Sequence, residues 1–379
     1  AATGTVSKVW FSLAQGIVTE TMYGLIHEAQ LKEMQLLIVG EGFIDQEKTD
    51  TKATTNYLHV DDQGRPLSLA YSVVTEDLEG KYRIEKQIVT DPDEQTLFVR
   101  VKATSNEPGI KFYLSLNPHM NNTGPKDKAR ADNNGLYASE ESEQSSYLAL
   151  LGSESFVKSS AGFVGTSDGL SDLRDNGQMD WQYQHTGEST GNVSLIAELP
   201  LSGSGEVAID LALGFGSSDS ASQAAANASL AKGFAQVLAA YNGEGEQIGW
   251  EDYLKTLPAL NALQQTATDG GKLLNTSALV LKAQEDKTHA GALIASLSNP
   301  WGDVKSAEKS QTGYKAVWPR DFYQCAMALL ALGDTQTPLV SFEYLKTIQA
   351  GPALDNYEGK PGWFLQKTHV DGQIEWVGV

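Results

Sequence analysis

Three scarcities narrow the functional classes open to this chain of 379 residues. Its single cysteine, Cys325, excludes an internal disulfide and any zinc site built from several thiolates. No apolar run approaches the roughly 18 residues needed to span a bilayer. Lys and Arg number 28 against 48 Asp and Glu, a formal net charge of -20. This acid excess disfavours nucleic acid and anionic membranes as partners, whereas a neutral ligand is indifferent to it.

The composition otherwise suits a folded globular protein. Hydrophobic residues make up 41% and charged residues 20% of the chain. The length is sufficient for two domains, each with a sizeable core. The chain does not open on a positively charged segment followed by an apolar one. We therefore expect that any export signal was removed or was never present.

The first two thirds of the sequence read as antiparallel strands. Short apolar or alternating segments are separated by turn-forming clusters, and many strands at short spacing predict a sandwich or a barrel. Residues 96–102 alternate as a half-buried strand should. Trp10, Glu20 and Tyr23 are expected to pack inside this domain. The predicted strands cover residues 9–13, 36–39, 69–74, 82–89, 96–102, 111–116, 147–151, 162–164, 192–197 and 206–215.

The character of the chain then changes to helical. An Ala-rich stretch at 221–241 favours helix, and 246–263 reads as a connecting helix. We predict a β-sandwich domain over 1–245, a linker helix region over 246–268 and a helical domain over 269–379. Its helices are expected at 269–286, 321–332 and 338–349, and Cys325 is expected to be a buried, inert thiol on the second of these.

The tetrapeptide Trp318-Pro319-Arg320-Asp321 is the clearest candidate for a functional site. Pro319 fixes the entry of the chain into a helix, so that Arg320 and Asp321 fall at its start. A guanidinium donates hydrogen bonds, a carboxylate accepts them, and both lie beside an aromatic ring. This combination suits a neutral polyhydroxylated ligand. The alternative is a surface Arg–Asp pair next to a core tryptophan.

Several dispersed motifs resemble one family. Residues 318–324, together with the segments 7–20, 35–43 and 291–302, resemble the bacterial glucoamylase and glucodextranase family of glycoside hydrolases. The resemblance implies a large antiparallel β super-sandwich followed by an (α/α)6 barrel. Such a barrel has twelve helices, and only about 110 residues follow the predicted boundary. We therefore expect an incomplete barrel, and a chain that is the front portion or a fragment of a longer protein.

The same resemblance implies the activity. The family hydrolyses α-glucans from the non-reducing end with inversion, releasing β-glucose without a redox cofactor. Its general acid and base lie beyond residue 379, so no catalytic residue is assigned here. A glucodextranase or isomaltose hydrolase acting on α-1,6 links and a phosphorylase are alternatives within enzymes. A non-catalytic carbohydrate-binding protein is the alternative if translation ends at Val379.

By resemblance, Arg320 and Asp321 bind the hydroxyls of the terminal glucose at the cleavage subsite. Trp318 forms an aromatic wall beside them. Trp376 resembles a subsite tryptophan of the family, although it could instead be a core residue. Trp301, in a loop at the mouth of the barrel, is balanced between structural and ligand roles. We expect the partner to be an α-glucan or oligosaccharide, and the protein to be a monomer that is secreted or periplasmic, since polymeric substrates lie outside cells.

Two carboxylate groupings are open to a metal interpretation. Asp168, Asp172 and Asp175 could hold structural Ca²⁺, but their spacing is not that of an EF-hand, and a solvated loop is favoured. His369 and Asp371 could form a catalytic or metal pair. Two such residues without a third ligand are more often a hydrogen-bonded turn, which is the interpretation we favour.

Overall fold

A computed structural model of the protein describes residues 4, 6–142, 145–202, 205–297 and 313–374. The first part of the chain is built from antiparallel strands, as the alternating sequence predicts. Within the described residues there are fifteen, named in chain order: β1 Val9–Ala14, β2 Ile17–Tyr23, β3 Ala29–Gly40, β4 Phe43–Gln46, β5 Thr51–Tyr57, β6 Tyr71–Asp77, β7 Tyr82–Thr90, β8 Thr96–Ser105, β9 Lys111–Pro118, β10 Lys128–Asp132, β11 Gly135–Glu140, β12 Ser146–Gly152, β13 Lys158–Phe163, β14 Val193–Glu198 and β15 Glu206–Gly216.

The strands form two sheets that pack face to face. The first has the order β1-β2-β3-β9-β14-β13, with β4 also pairing with β3. The second has the order β10-β11-β12-β15-β8-β7-β6-β5. Apolar side chains from both sheets fill the space between them, among them Val18, Leu36, Ile38, Val99, Leu150 and Leu211. This arrangement confirms the predicted sandwich.

Helices follow and flank the sheets. Within the described residues they are α1 Glu47–Asp50, α2 Gly169–Asn176, α3 Asp219–Lys232, α4 Phe234–Ala239, α5 Trp250–Lys255, α6 Leu260–Thr266, α7 Lys272–Ala283, α8 Pro319–Ala331 and α9 Gln336–Ile348. The single connecting helix expected over 246–263 is wrong. Pro258 lies between α5 and α6, and proline cannot continue a helix because it lacks the N–H and clashes with the preceding turn.

A second apolar layer covers the outer face of the second sheet. Phe98 and Ala212 on the sheet pack with Phe234, Trp250 and Leu279 from the helices. The rings of Phe98 and Phe234 are 5.6 Å apart in an edge contact. Strand β8 is therefore buried on both faces from residue 96 to 99. The predicted half-buried alternation holds only beyond that point, because the sequence does not show that helices cover the outer face.

The acidic segment at 168–175 is a helix and not a solvated loop. Asp168 caps α2, accepting hydrogen bonds from the backbone N–H of Ser171 at 3.0 Å and of Gly165 at 2.6 Å. Asp172 is buried and accepts from the N–H of Trp181 at 2.8 Å. These carboxylates therefore satisfy backbone donors that the helix and its flanking turns leave unpaired.

A mixed core joins the edge of the first sheet to α8 and α9. Trp10, Met22 and Ile26 of the sandwich pack with Val317 and Phe322 of the helical part. The expectation that Trp10 packs inside the sandwich is therefore wrong. Its strand has two apolar faces, and the sequence alone does not indicate which partner covers each of them.

Candidate functional site

The tetrapeptide 318–321 opens helix α8. Trp318 is the N-cap residue in an extended conformation, and Pro319 occupies the first helical position. Asp321 lies in the first turn, where a carboxylate interacts favourably with the positive end of the helix. Gly333 follows the helix with a φ of +90°, the left-handed conformation that glycine adopts readily. The sequence thus predicted the position of this helix to within two residues of its start.

Arg320 and Asp321 form an open donor and acceptor pair. The Nη2 atom of Arg320 is 3.3 Å from Oδ2 of Asp321. The Arg320 side chain is 74% exposed and that of Asp321 is 39% exposed. An ion pair this exposed contributes little to stability. Both side chains are therefore accessible to a ligand, and the fold does not depend on the bond between them.

An aromatic wall stands beside this pair. The half-buried ring of Trp318 lies 5.9 Å from the ring of Tyr314, with an angle of 34° between their planes. The Nζ atom of Lys367 lies 4.6 Å above the Trp318 ring. It also donates a hydrogen bond to the carbonyl oxygen of Gly313 at 3.0 Å. The cation and the neighbouring ring hold the Trp318 side chain in place.

The backbone behind the wall is buried. Lys315, Ala316 and Val317 are each at most 1% exposed. The Nζ atom of Lys315 lies 2.9 Å from Oε2 of Glu20 on strand β2, across 295 positions of sequence. The expectation that Glu20 packs the sandwich is therefore wrong, since its carboxylate pairs with the helical part. The one available signal was a lysine among apolar residues before the motif.

Two histidine rings pack against each other near the Glu20–Lys315 pair, one from the sandwich and one from the helical part. The rings of His27 and His369 are 4.5 Å apart. Burial lowers the pKa of His27 to about 3, and the nearby His369, Lys315 and His289 add to this effect. His27 is therefore neutral at physiological pH. Burial raises the pKa of neighbouring Glu28 to about 7, assisted by repulsion from acidic groups.

The segment at 369–373 forms the hydrogen-bonded turn that the sequence indicated. The N–H of Gly372 donates to the carbonyl oxygen of His369 at 3.0 Å. The N–H of His369 donates to the carbonyl oxygen of Gln373, also at 3.0 Å. Asp371 accepts from the N–H of Gln373 at 3.1 Å. Among the residues that the structure describes, no three His, Cys, Asp or Glu side chains are grouped to hold a metal ion.

The other predicted residues have mixed outcomes. Trp301 and Trp376 lie outside the described residues. Cys325 is half-buried, so the expectation of a buried thiol is wrong. It lies on a flank of α8 that only partly faces the mixed core. Burial and the negative charge of Asp321 raise the pKa of this thiol.

A cavity of about 390 Å³ lies elsewhere, between the sandwich and the helices. Aromatic and aliphatic side chains dominate its lining, including those of Trp10, Tyr71 and Trp250. Neither Arg320 nor Asp321 is among the described residues that line it. The open pair at the start of α8 is thus a separate feature, and it places the cation, the carboxylate and the aromatic wall of the predicted motif side by side.

Comparison with known proteins places this chain in a family. Residues 1–255 match the family described as glucodextranase, domain N, and residues 269–378 match glycosyl hydrolases family 15. The chain belongs to the bacterial glucoamylase and glucodextranase family. It is 32% identical over 385 aligned residues to a glucoamylase from Clostridium sp. (strain G0005), covering 100% of this chain and 50% of that protein.

A solved structure extends the family likeness to the fold. The crystal structure of a bacterial glucoamylase complexed with acarbose matches with a TM-score of 0.85 and 32% identity. The match covers 100% of this chain and 52% of that chain. The chain thus spans about half the length of the glucoamylases it matches. Within the described residues, no helix combines the length and apolar character that crossing a bilayer requires.

Proposed function

We propose that this protein is an exo-acting, inverting glycoside hydrolase of the glucoamylase type. It releases β-D-glucose from the non-reducing ends of α-glucans. Family membership and whole-chain similarity to glucoamylases support the activity. The observation that carries the site is the exposed Arg320–Asp321 pair beside Trp318 at the start of α8.

In this proposal the three residues position the terminal glucose. Arg320 donates hydrogen bonds to ring hydroxyl oxygens, and Asp321 accepts hydrogen bonds from hydroxyl protons. The face of Trp318 packs against the apolar C–H surface of the sugar. Trp301 and Trp376 remain predicted sugar contacts. Holding the sugar in one orientation lowers the barrier, because the scissile bond then meets the reacting groups in attack geometry.

Inverting hydrolysis requires a second feature, a pair of carboxyl groups on either side of the scissile bond. One protonates the leaving oxygen, and the other activates a water molecule. We assign neither role within this chain, which spans about half the length of its glucoamylase relatives. The division into 1–245, 246–268 and 269–379 stays a prediction, as do a monomeric state and a secreted or periplasmic location.

The experiment is performed on the complete natural polypeptide that carries this chain. Release of β-glucose from maltooligosaccharides is measured for the parent and for Asp321→Ala. The substitution leaves Arg320 and a sugar hydroxyl unpaired, so we expect kcat/KM to fall about 5- to 150-fold, equivalent to ~1–3 kcal/mol. Glu343→Ala on α9 is the control, since it removes a carboxylate from a comparably exposed ion pair. Equal activity of parent and Asp321→Ala would remove the assigned role.

A second candidate substrate is the α-1,6 linkage. The match of residues 1–255 to a family described as glucodextranase, domain N, favours considering it. The Arg320–Asp321 pair would recognise the terminal glucose and would not report the linkage beyond it. Comparing kcat/KM for maltose and isomaltose decides between the two. A preference for isomaltose would replace the α-1,4 assignment while leaving the role of the pair intact.

A further inference from the structure

We propose that the β-sandwich positions the candidate sugar site through the buried Glu20–Lys315 ion pair, which makes Glu20 a positioning residue for Arg320 and Asp321. The link to catalysis rests on the proposed function. The structural part, that a sandwich carboxylate fixes the start of α8, can be tested without any substrate.

The ion pair is a rigid point between the two parts of the chain. Lys315 Nζ and Glu20 Oε2 are 2.9 Å apart, and each side chain is 1% exposed. Glu20 lies in β2, which pairs with β1 on one side and β3 on the other. Two charges removed from water are tolerated only when they stay together. Separating them by local motion is therefore strongly disfavoured.

The segment that connects this pair to the site is short, buried and hydrogen-bonded. Lys315 precedes Arg320 by five positions, and the intervening Ala316 and Val317 are fully buried. Val317 exchanges backbone hydrogen bonds with Thr368, at 2.9 and 3.0 Å. Because tightly packed segments transmit displacements, a shift of Lys315 moves the first turn of α8.

The same edge of the sandwich supports the opposite side of the site. His27 follows β2 and packs against His369, two positions after the lysine that lies over Trp318. Asn122 fixes His27 by donating from Nδ2 to its carbonyl oxygen at 2.9 Å. The apolar contacts of Ile26 in the mixed core reinforce this arrangement. The sandwich thus contacts both segments that frame Trp318.

The molecule offers a matched control within the sandwich. Glu47 and Lys86 form another ion pair, with side chains 0% and 4% exposed. Glu47 also accepts hydrogen bonds from the N–H of Leu36 and the hydroxyl of Thr75, both sandwich residues. Glu47→Gln and Glu20→Gln remove the same charge from equally buried positions. Of these two carboxylates, Glu20 is the one that pairs with the segment leading into α8.

The first measurement is hydrogen exchange on the complete polypeptide, resolved to peptides covering 318–324. We expect Glu20→Gln to speed exchange there at least about tenfold, and Glu47→Gln to leave it within about twofold of the parent. The double variant Glu20→Gln/Lys315→Met removes the unpaired buried charge and should fold if the single variant does not. Unchanged exchange at 318–324 in these Glu20 variants, or equal acceleration by Glu47→Gln, would overturn the proposal.

The second measurement is hydrolysis of maltooligosaccharides. We expect kcat/KM to fall at least about tenfold for Glu20→Gln and to stay within about twofold for Glu47→Gln, at matched folded fractions. In an Arg320→Ala background the effect of Glu20→Gln on kcat/KM should shrink to about twofold or less, because Glu20 acts by positioning a side chain that this background lacks. Full additivity would overturn the positioning role. An inactive parent with selective exchange at 318–324 would refute the proposed function and support the structural step.

Discussion

Replacing Asp286 by alanine tests how strongly the sandwich is joined to the helical part. Asp286 is 1% exposed, and its Oδ1 atom accepts a hydrogen bond from the buried N–H of Ile26 at 2.8 Å. Its Oδ2 atom accepts from the N–H groups of Thr288 at 3.0 Å and His289 at 2.7 Å. One carboxylate therefore bridges the turn after β2 and the turn after α7.

The expected loss follows from what each donor can do afterwards. Thr288 and His289 lie nearer to solvent, so water can replace the lost acceptor for them. The N–H of Ile26 is sealed from water and keeps its full desolvation penalty. With a small cavity added, we expect Asp286→Ala to lower the free energy of unfolding by about 2–4 kcal/mol. Asp286→Asn keeps one acceptor oxygen and should cost about 1 kcal/mol.

The assay is urea unfolding followed by tryptophan fluorescence and far-ultraviolet circular dichroism, with coincident transitions required for a two-state treatment. Asp269→Ala is the matched control. That carboxylate also accepts from two backbone N–H groups, of Gly271 at 2.9 Å and Leu273 at 2.7 Å, but it is exposed. Its loss should be clearly smaller. Equal losses for the two variants would refute the argument that burial of the Ile26 donor sets the cost.

Three further predictions address pH, backbone strain and the candidate site. His27 has a pKa of about 3 in the fold, so the unfolded chain alone takes up its proton as pH falls below 6.5. The parent should therefore lose about 2 kcal/mol more stability than His27→Gln between pH 7 and pH 5. Gly291 has a φ of +84°, and a Cβ there would lie 2.6 Å from the carbonyl oxygen of Val340. Gly291→Ala should cost at least about 2 kcal/mol more than Gly187→Ala, where φ is also positive but space is open. Arg320→Lys keeps the charge and loses the planar fork, so kcat/KM for maltooligosaccharides should fall about tenfold with unchanged thermal stability.

Each of these has a defined contrary result. Parallel stability curves for the parent and His27→Gln would mean that His27 takes up its proton in the fold as readily as in the unfolded chain, so that its pKa is not lowered. Equal costs for the two glycine variants would show that the contact with Val340 relaxes freely. An Arg320→Lys variant with full activity would show that a point charge suffices at this position.

Much of the fold was predictable because its signals are local. Strands such as β7 and β8 were found from apolar patterning bounded by turns. The start of helix α8 was predictable from Pro319, which fixes the entry of the chain into the helix. The single connecting helix predicted over 246–263 is wrong because Pro258 lies between α5 and α6, and proline interrupts a helix. Helix α2 was missed because its acidic residues read as a loop, although Asp168 is a typical N-cap.

Part of the candidate site could be predicted from the sequence, and part of it could not. The exposed pair could be proposed because an arginine and an aspartate at a helix start have no packing reason to occur together. The buried Glu20 and the ring of His27 could not, since neither forms part of a short motif. Glu20 meets Lys315 across 295 positions, and no periodicity links residues so far apart. Their roles depend on which edge of the sandwich faces the helices.

The amino-acid sequence by itself determined the change from a strand-rich to a helical part, the family resemblance and the residues of the Trp318–Asp321 motif, because periodicity, caps and motif chemistry act over a few neighbouring residues. The tertiary structure alone decided that the side chains of Trp10 and Glu20 contact the helical part and not the sandwich core. It also decided that Asp286 joins the sandwich to the helical part. Such pairings depend on the relative placement of a sheet edge and a helix start. That placement results from the packing of the whole mixed core, which no local pattern encodes.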